Sequence, residues 1–186
     1  MKNNRVNRYK MAQKQDSVLI VIDVQDRLMP VIQGREAILE NIIRLIKFSQ
    51  ILDMPIVMTE QEKLGPTLSE IATQTENIVP IEKISFNCFL SSEFEERIKQ
   101  LKRKTLILVG AEAHICVAQT ALHALSSFTV HVVKDAVGSR TAENRNIAIE
   151  RMQQAGAIIT STEMFIYEVL ERAGTDRFKE VLQLVK

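Results

Sequence analysis

The stretch Thr105-Leu106-Ile107-Leu108-Val109-Gly110-Ala111-Glu112-Ala113-His114-Ile115-Cys116 decides how this chain is read. Its first five residues form an apolar run rich in β-branched side chains, the pattern of a parallel strand buried on both faces. From Val117 to Leu122 the residues favour helix, so a glycine and a short loop carry the chain from strand to helix and leave Cys116 at the helix start. The unpaired N–H groups there carry partial positive charge, which favours a thiolate over a thiol and offers donors to a developing oxyanion. That placement predicts a nucleophile, and therefore an enzyme.

Short apolar runs and longer helical patterns alternate on both sides of this stretch. Upstream, Val18-Leu19-Ile20-Val21-Ile22 is a second continuous run and ends at Asp23. Ala37 to Leu52 places Ile38, Ile42, Leu45 and Ile46 at helical spacing, Pro55 to Thr59 reads as a strand, and Ile78 to Ile81 as a weaker one. Phe94 to Leu101 is a charged amphipathic helix. Downstream, Thr129 to Val133 makes a strand ending near Asp135, Glu143 to Ala155 a helix stopped by Gly156, and Ala157 to Thr160 a strand; Glu163 to Ala173 and Arg177 to Val185 close the chain as helix. Repeated strand–helix units with right-handed crossovers predict a three-layer α/β/α Rossmann-like fold with a six-stranded, mostly parallel sheet.

At 186 residues the chain accommodates one domain with a full core, expected over residues 16–186 behind a flexible arm of residues 1–15. Met1 and Met11 both qualify as the start. Apolar residues are 46% and charged residues 25%, with no low-complexity tract, which excludes a largely disordered chain. Lys plus Arg number 24 and Asp plus Glu 23, so the net charge of +1 advertises no polyanion and no nucleic acid is expected as a partner. No stretch approaches the ~18 apolar residues of a membrane span, so no membrane partner is expected either. Cys88 and Cys116 are too few for a disulfide framework and show no zinc-ligand spacing, which predicts a reducing cytoplasm.

In parallel sheets ligands bind outside the carboxyl ends of the strands. Asp23, Lys83 and Cys116 each follow a different predicted strand, and strand ends converge in space although far apart in sequence. Singly each has a bland explanation: an Asp there usually caps a turn, a Lys is usually solvated, and a lone Cys is usually inert and buried. Their joint placement is what argues for chemistry.

That joint pattern resembles the isochorismatase-like cysteine hydrolases, a superfamily that includes nicotinamidases and N-carbamoylsarcosine amidohydrolases. Val21-Ile22-Asp23-Val24-Gln25 is similar to the opening strand ending in Asp-x-Gln, Glu82-Lys83-Ile84-Ser85-Phe86 to the lysine segment, and Gly110 to Cys116 to the nucleophile loop. The likeness runs from about Ser17 to Glu168. Thr59-Glu60-Gln61, Leu64-Gly65-Pro66-Thr67 and the nucleophile loop look most like the less characterised isochorismatase-domain proteins of bacteria and mitochondria. The resemblance implies that Asp23 is the general base, Cys116 the nucleophile and Lys83 the cation that orients both. It implies an oxyanion hole from the backbone N–H groups of Glu112 and Cys116, a cis peptide at Ala111–Glu112, and a homo-oligomer. An amide or related C–N bond of a small molecule is the expected substrate, cleaved through a thioester with no cofactor.

Other residues invite weaker readings. Cys88 is read as buried or lining the pocket, His123 and His131 as structural, and Arg140 as solvated. His114 is a candidate substrate contact beside Cys116. Gln25 and Gln61 are further pocket candidates, Gln61 at even odds with loop solvation, and Phe86 and Phe89 are candidates for an apolar wall. Nicotinamidases carry an Asp-x-His metal motif after the second strand; Glu60-Gln61 stands there instead, so no metal is expected. The apolar Met164, Phe165, Ile166, Val169 and Leu170 offer packing surface for a second subunit. A nucleotide-binding domain would need Gly-x-Gly-x-x-Gly where Asp23-Val24-Gln25-Asp26-Arg27 stands. A catalytically idle relative used for binding or assembly is the main alternative, and a nuclease has the least support.

Overall fold

The computed structural model describes residues 11–185. Six strands, β1 (Ser17–Ile22), β2 (Ile56–Gln61), β3 (Ile81–Lys83), β4 (Thr105–Ala111), β5 (Thr129–Gly138) and β6 (Ile158–Thr160), form one sheet in the order β3-β2-β1-β4-β5-β6. Every neighbouring pair is parallel. The helices are α1 (Arg35–Ile51), a single turn α2 (Ser69–Ala72), α3 (Ser92–Leu101), α4 (Ala118–Ala124), α5 (Ala142–Gln154), α6 (Thr162–Leu170) and α7 (Asp176–Val185).

Strand periodicity divides each central run between two cores. Leu19, Val21, Ile107 and Val109 face α1, α6 and α7 through Ile42, Leu45, Phe165, Ile166 and Val181. Val18, Ile20, Ile22, Leu106 and Leu108 face α3, α4 and α5 through Phe94, Ile98, Ala121, Ile149 and Met152. Helix starts are set by side chains: Ser91, Thr141 and Ser161 accept from the N–H of Phe94, Asn144 and Met164, capping α3, α5 and α6.

Among the boundaries that differ from the sequence reading, those of β3, β2 and β5 change which residues meet. Ile78 to Pro80 is not strand, because Pro80 has no N–H for a ladder; pairing starts at Ile81 and places Lys83 on the strand rather than after it. That pairing also extends β2 beyond Thr59 to Gln61. On the other side, β5 continues through Gly138, with a register shift between Leu108↔Val132 and Gly110↔Val137. The displaced segment frees Asp135 Oδ1 to accept from Thr162 N at 2.8 Å and Thr162 Oγ1 at 3.0 Å, so this residue fastens the start of α6.

The apolar surface expected at α6 is largely consumed by the chain's own core. Phe165 and Ile166 are wholly buried and Val169 nearly so, while Met164 stays exposed. Residues 1–10 of the expected arm lie outside the described residues; Ala12 is buried, and its N–H donates to Glu168 Oε1. Among the described residues no helix is long and apolar enough to cross a membrane.

Gly110 makes the closest packing demand in the sheet. Its φ is +118°, and a Cβ there would lie 2.1 Å from the Ile22 carbonyl oxygen, one residue before Asp23. Gly110→Ala is expected to lower stability by about 3 kcal/mol or more, read as a fall in the urea midpoint. An unchanged midpoint would mean that β1 and β4 do not approach so closely.

Candidate active site

Helix α1, which follows β1, and helix α4, which follows β4, cover opposite faces of the sheet. The chain therefore parts between the carboxyl ends of β1 and β4, where an open parallel sheet has its crevice. Asp23 leaves β1 with φ +52°, a left-handed conformation that Asp tolerates better than most residues and that ends the strand abruptly. Lys83 reaches it across the end of β2, with Nζ 2.7 Å from Asp23 Oδ2 and neither side chain exposed to solvent. Thr59 Oγ1 donates to the other carboxylate oxygen at 2.7 Å. Lys83 also donates to Gln61 Oε1 at 2.9 Å.

Cys116 arrives from β4. The Ala111–Glu112 peptide is cis, as the resemblance implies, and the chain then makes a π-helical turn, Ala113–Val117, before entering α4. Cys116 thus lies inside this turn rather than at the first residue of a helix. Its thiol lies within the fields of the Asp23 carboxylate and the Lys83 ammonium. Burial and the negative charge of Asp23 push this thiol far above its ordinary range, and the opposing pull of Lys83 does not offset them. Desolvation and the carboxylate oppose the thiolate expected from the sequence, and Cys116 does not occupy the helix start on which that expectation relied. Cys88, wholly buried beneath the site, is pushed up to about 11, chiefly by burial. Its backbone N–H donates to Thr120 Oγ1 at 3.0 Å.

The remaining candidates take separate places. Gln25 is buried and acts as a backbone clamp, accepting from Gln61 N at 2.8 Å and donating to Gln61 O at 3.0 Å and Gly65 O at 2.6 Å. Gln61 links Lys83 to the Ile84 carbonyl, to which its Nε2 donates at 2.6 Å. Glu60 is turned to Thr67, whose N–H and hydroxyl it accepts at 2.7 and 2.6 Å. Phe86 is exposed, with Ile84 and Leu90 beside it in sequence also exposed; Phe89 is buried and stacks on His123 at 4.9 Å. His114 Nδ1 lies 2.9 Å from Ser139 Oγ, and Arg140 Nε donates to Glu112 Oε1 at 2.7 Å. Thr59 and Arg140 are the partners that sequence reasoning missed. Alternation along β2 is the signal that would have put Thr59 on the face of Gln61, whereas Arg140 has no local signal.

A family model, the isochorismatase domain, matches residues 17–164. The chain belongs to the isochorismatase family. Its fold is that of the isochorismatase-family hydrolases, and the matched span contains Asp23, Lys83 and Cys116. A secreted isochorismatase effector of Phytophthora sojae is 36% identical over 178 residues, covering 91% of this chain and 84% of that protein. Isochorismatase domain-containing protein 2A of Mus musculus is 35% identical over 177 residues, covering 92% and 84%. Among solved structures, the MAR1 ribonuclease of Caenorhabditis elegans superposes with a TM-score of 0.88 at 35% identity, covering 94% of this chain and 92% of that one.

Two outcomes follow for this isochorismatase-family site. Lys83→Met leaves the Asp23 carboxylate buried without its cation and is expected to cost about 3–5 kcal/mol in urea unfolding. Adding Asp23→Asn to that variant recovers most of the loss; no recovery would deny that the pair is coupled. Separately, a thiol raised above its ordinary 9.0 requires Cys116 alkylation by iodoacetamide to keep rising with pH through that value, followed by peptide mass analysis. A rate plateau near neutral pH would show an anionic sulfur at rest.

Proposed function

We propose that residues 16–186 act as one catalytic domain, a cysteine hydrolase that cleaves an amide or related C–N bond of a small molecule. The observation that carries this is the buried Asp23 carboxylate, held by Lys83 and Thr59, whose charge acts on the adjacent Cys116 thiol. The Cys116 sulfur attacks the carbonyl carbon while its proton passes to Asp23. Negative charge gathers on the carbonyl oxygen, opposite the backbone N–H groups of Glu112 and Cys116. Collapse breaks the C–N bond, the departing nitrogen takes the proton from Asp23, and a thioester remains on Cys116. Water then attacks the thioester, giving its proton to Asp23, which returns it to the leaving sulfur. Lys83 keeps Asp23 anionic between these transfers, and no cofactor enters them.

Cys88 and Cys116 are both free thiols, which suits a reducing compartment such as the cytoplasm. Self-association, which the family resemblance implies, would draw on Ile84, Phe86 and Leu90 near Lys83 rather than on α6, whose apolar face is already covered.

One likeness favours a second reading: the C. elegans relative is called a ribonuclease. Against it, a net charge of +1 exerts little attraction on a polyanion. One screen separates the readings. Small amides, ureas and carbamoyl compounds, together with a mixed-sequence RNA, are incubated with wild type and Cys116→Ala. Ammonia or amine release that falls by about a thousandfold or more in Cys116→Ala is the expected result. Cys116-dependent RNA cleavage would replace the substrate class, and a wholly null panel would favour the idle binding module.

A further inference from the structure

We infer that Thr59 and Gln61 are positioning residues, the hydroxyl holding the Asp23 carboxylate and the amide oxygen holding the Lys83 ammonium from one face of β2. This rests on the hydrolytic reading of Asp23, Lys83 and Cys116. Strand β2 lies between β1 and β3, so the strands bearing the acid and the amine are roughly 10 Å apart. The register puts Thr59 level with Ile22 and Ile81, and Gln61 level with Lys83. As alternate residues they present their side chains to the same side. A strand without a reacting group of its own thus spans the gap and carries one partner for each member of the ion pair.

Both orientations are determined by chemistry. The Thr59 hydroxyl has one proton, which goes to Asp23 Oδ1 at 2.7 Å. With Oδ1 held there and Oδ2 held by Lys83, the carboxylate cannot rotate to chelate the ammonium with both oxygens. Gln61 Nε2 donates to the Ile84 carbonyl, so its oxygen must face Lys83, an ammonium having only donors. Gln25 pins the backbone N–H and C=O of Gln61 and removes the remaining slack.

The two partners act on opposite ions, so each is tested by removing its polar atom, and the first also by restoring it. The probe is acylation by p-nitrophenyl acetate, followed as total p-nitrophenol released. Thr59→Val preserves the side-chain shape and is expected to slow acylation about tenfold, with Thr59→Ser, which keeps the hydroxyl and loses the methyl, restoring it. Gln61→Leu is expected to slow acylation by a similar factor. A slower Thr59→Val that Thr59→Ser does not rescue marks a packing role and overturns the inference. So do wild-type rates in both Thr59→Val and Gln61→Leu, which leave the hydrolase reading intact if Cys116→Ala abolishes acylation. Acylation that is absent from wild type, or that survives Cys116→Ala, overturns the hydrolase reading and this inference with it.

Discussion

Asp23 and Lys83 lie 2.7 Å apart with no solvent on either side chain, an arrangement that costs several kcal/mol of desolvation per ion before any attraction is counted. It persists only if each ion has further hydrogen bonds of good geometry, and the surroundings provide them: Thr59 for the free carboxylate oxygen, Gln61 for a second ammonium proton. Much of the neighbouring architecture answers this requirement. Asp23 takes a left-handed turn so that its carboxylate stays at the strand end, and Lys83 occupies the last position of the edge strand. An apolar pair of similar volume would be no less stable, which makes the ion pair an argument for chemistry rather than for folding.

The sheet order explains how three distant segments meet. With β1 at the centre, flanked by β2 and β4, Asp23 has the strand leading to Cys116 on one side and the lysine strand two positions away on the other. Gly110 lets β4 lie against the Ile22 carbonyl. Arg140, just after β5, holds the Glu112 side chain, so the turn that carries Cys116 is tied to the neighbouring strand's end.

Much of this was legible in the sequence, for a physical reason that also marks where legibility stops. Val18–Ile22 and Thr105–Val109 read as central strands because burial on both faces forces continuous apolar runs, and Asp23 and Cys116 stand out as the polar residues that interrupt them. Lys83 was found through its place after a weak strand, although Pro80 moved that strand and put the lysine upon it. Thr59 and Gln61 were not legible as partners of the ion pair, since their role depends on the register of β2 against β3, which no local pattern encodes. Arg140 is the same case: its contact requires β4 and β5 to be neighbours and β5 to be displaced past Val133. The apolar residues of α6 were misjudged as surface because an apolar helix face looks alike whether it meets its own core or another subunit.

The state of Cys116 shows why local reasoning also fails for charge. A helix start beside a lysine argues for a thiolate, yet Cys116 sits within the π-helical turn, and burial and the adjacent carboxylate outweigh the pull of Lys83 and favour the thiol. On the proposed mechanism this arrangement is coherent. A thiolate beside an ionised Asp23 would leave the site without a group that accepts a proton in one step and returns it in the next. A thiol beside that carboxylate keeps the proton within reach of the group that must take it, and sulfur becomes a strong nucleophile only as a carbonyl approaches and the proton crosses to Asp23. The pull of Lys83 on the carboxylate then limits how far the proton moves: too weak, and Asp23 would keep it; too strong, and it would never leave sulfur. Gln61 and Thr59, which share the hydrogen bonding of those two ions, set that balance.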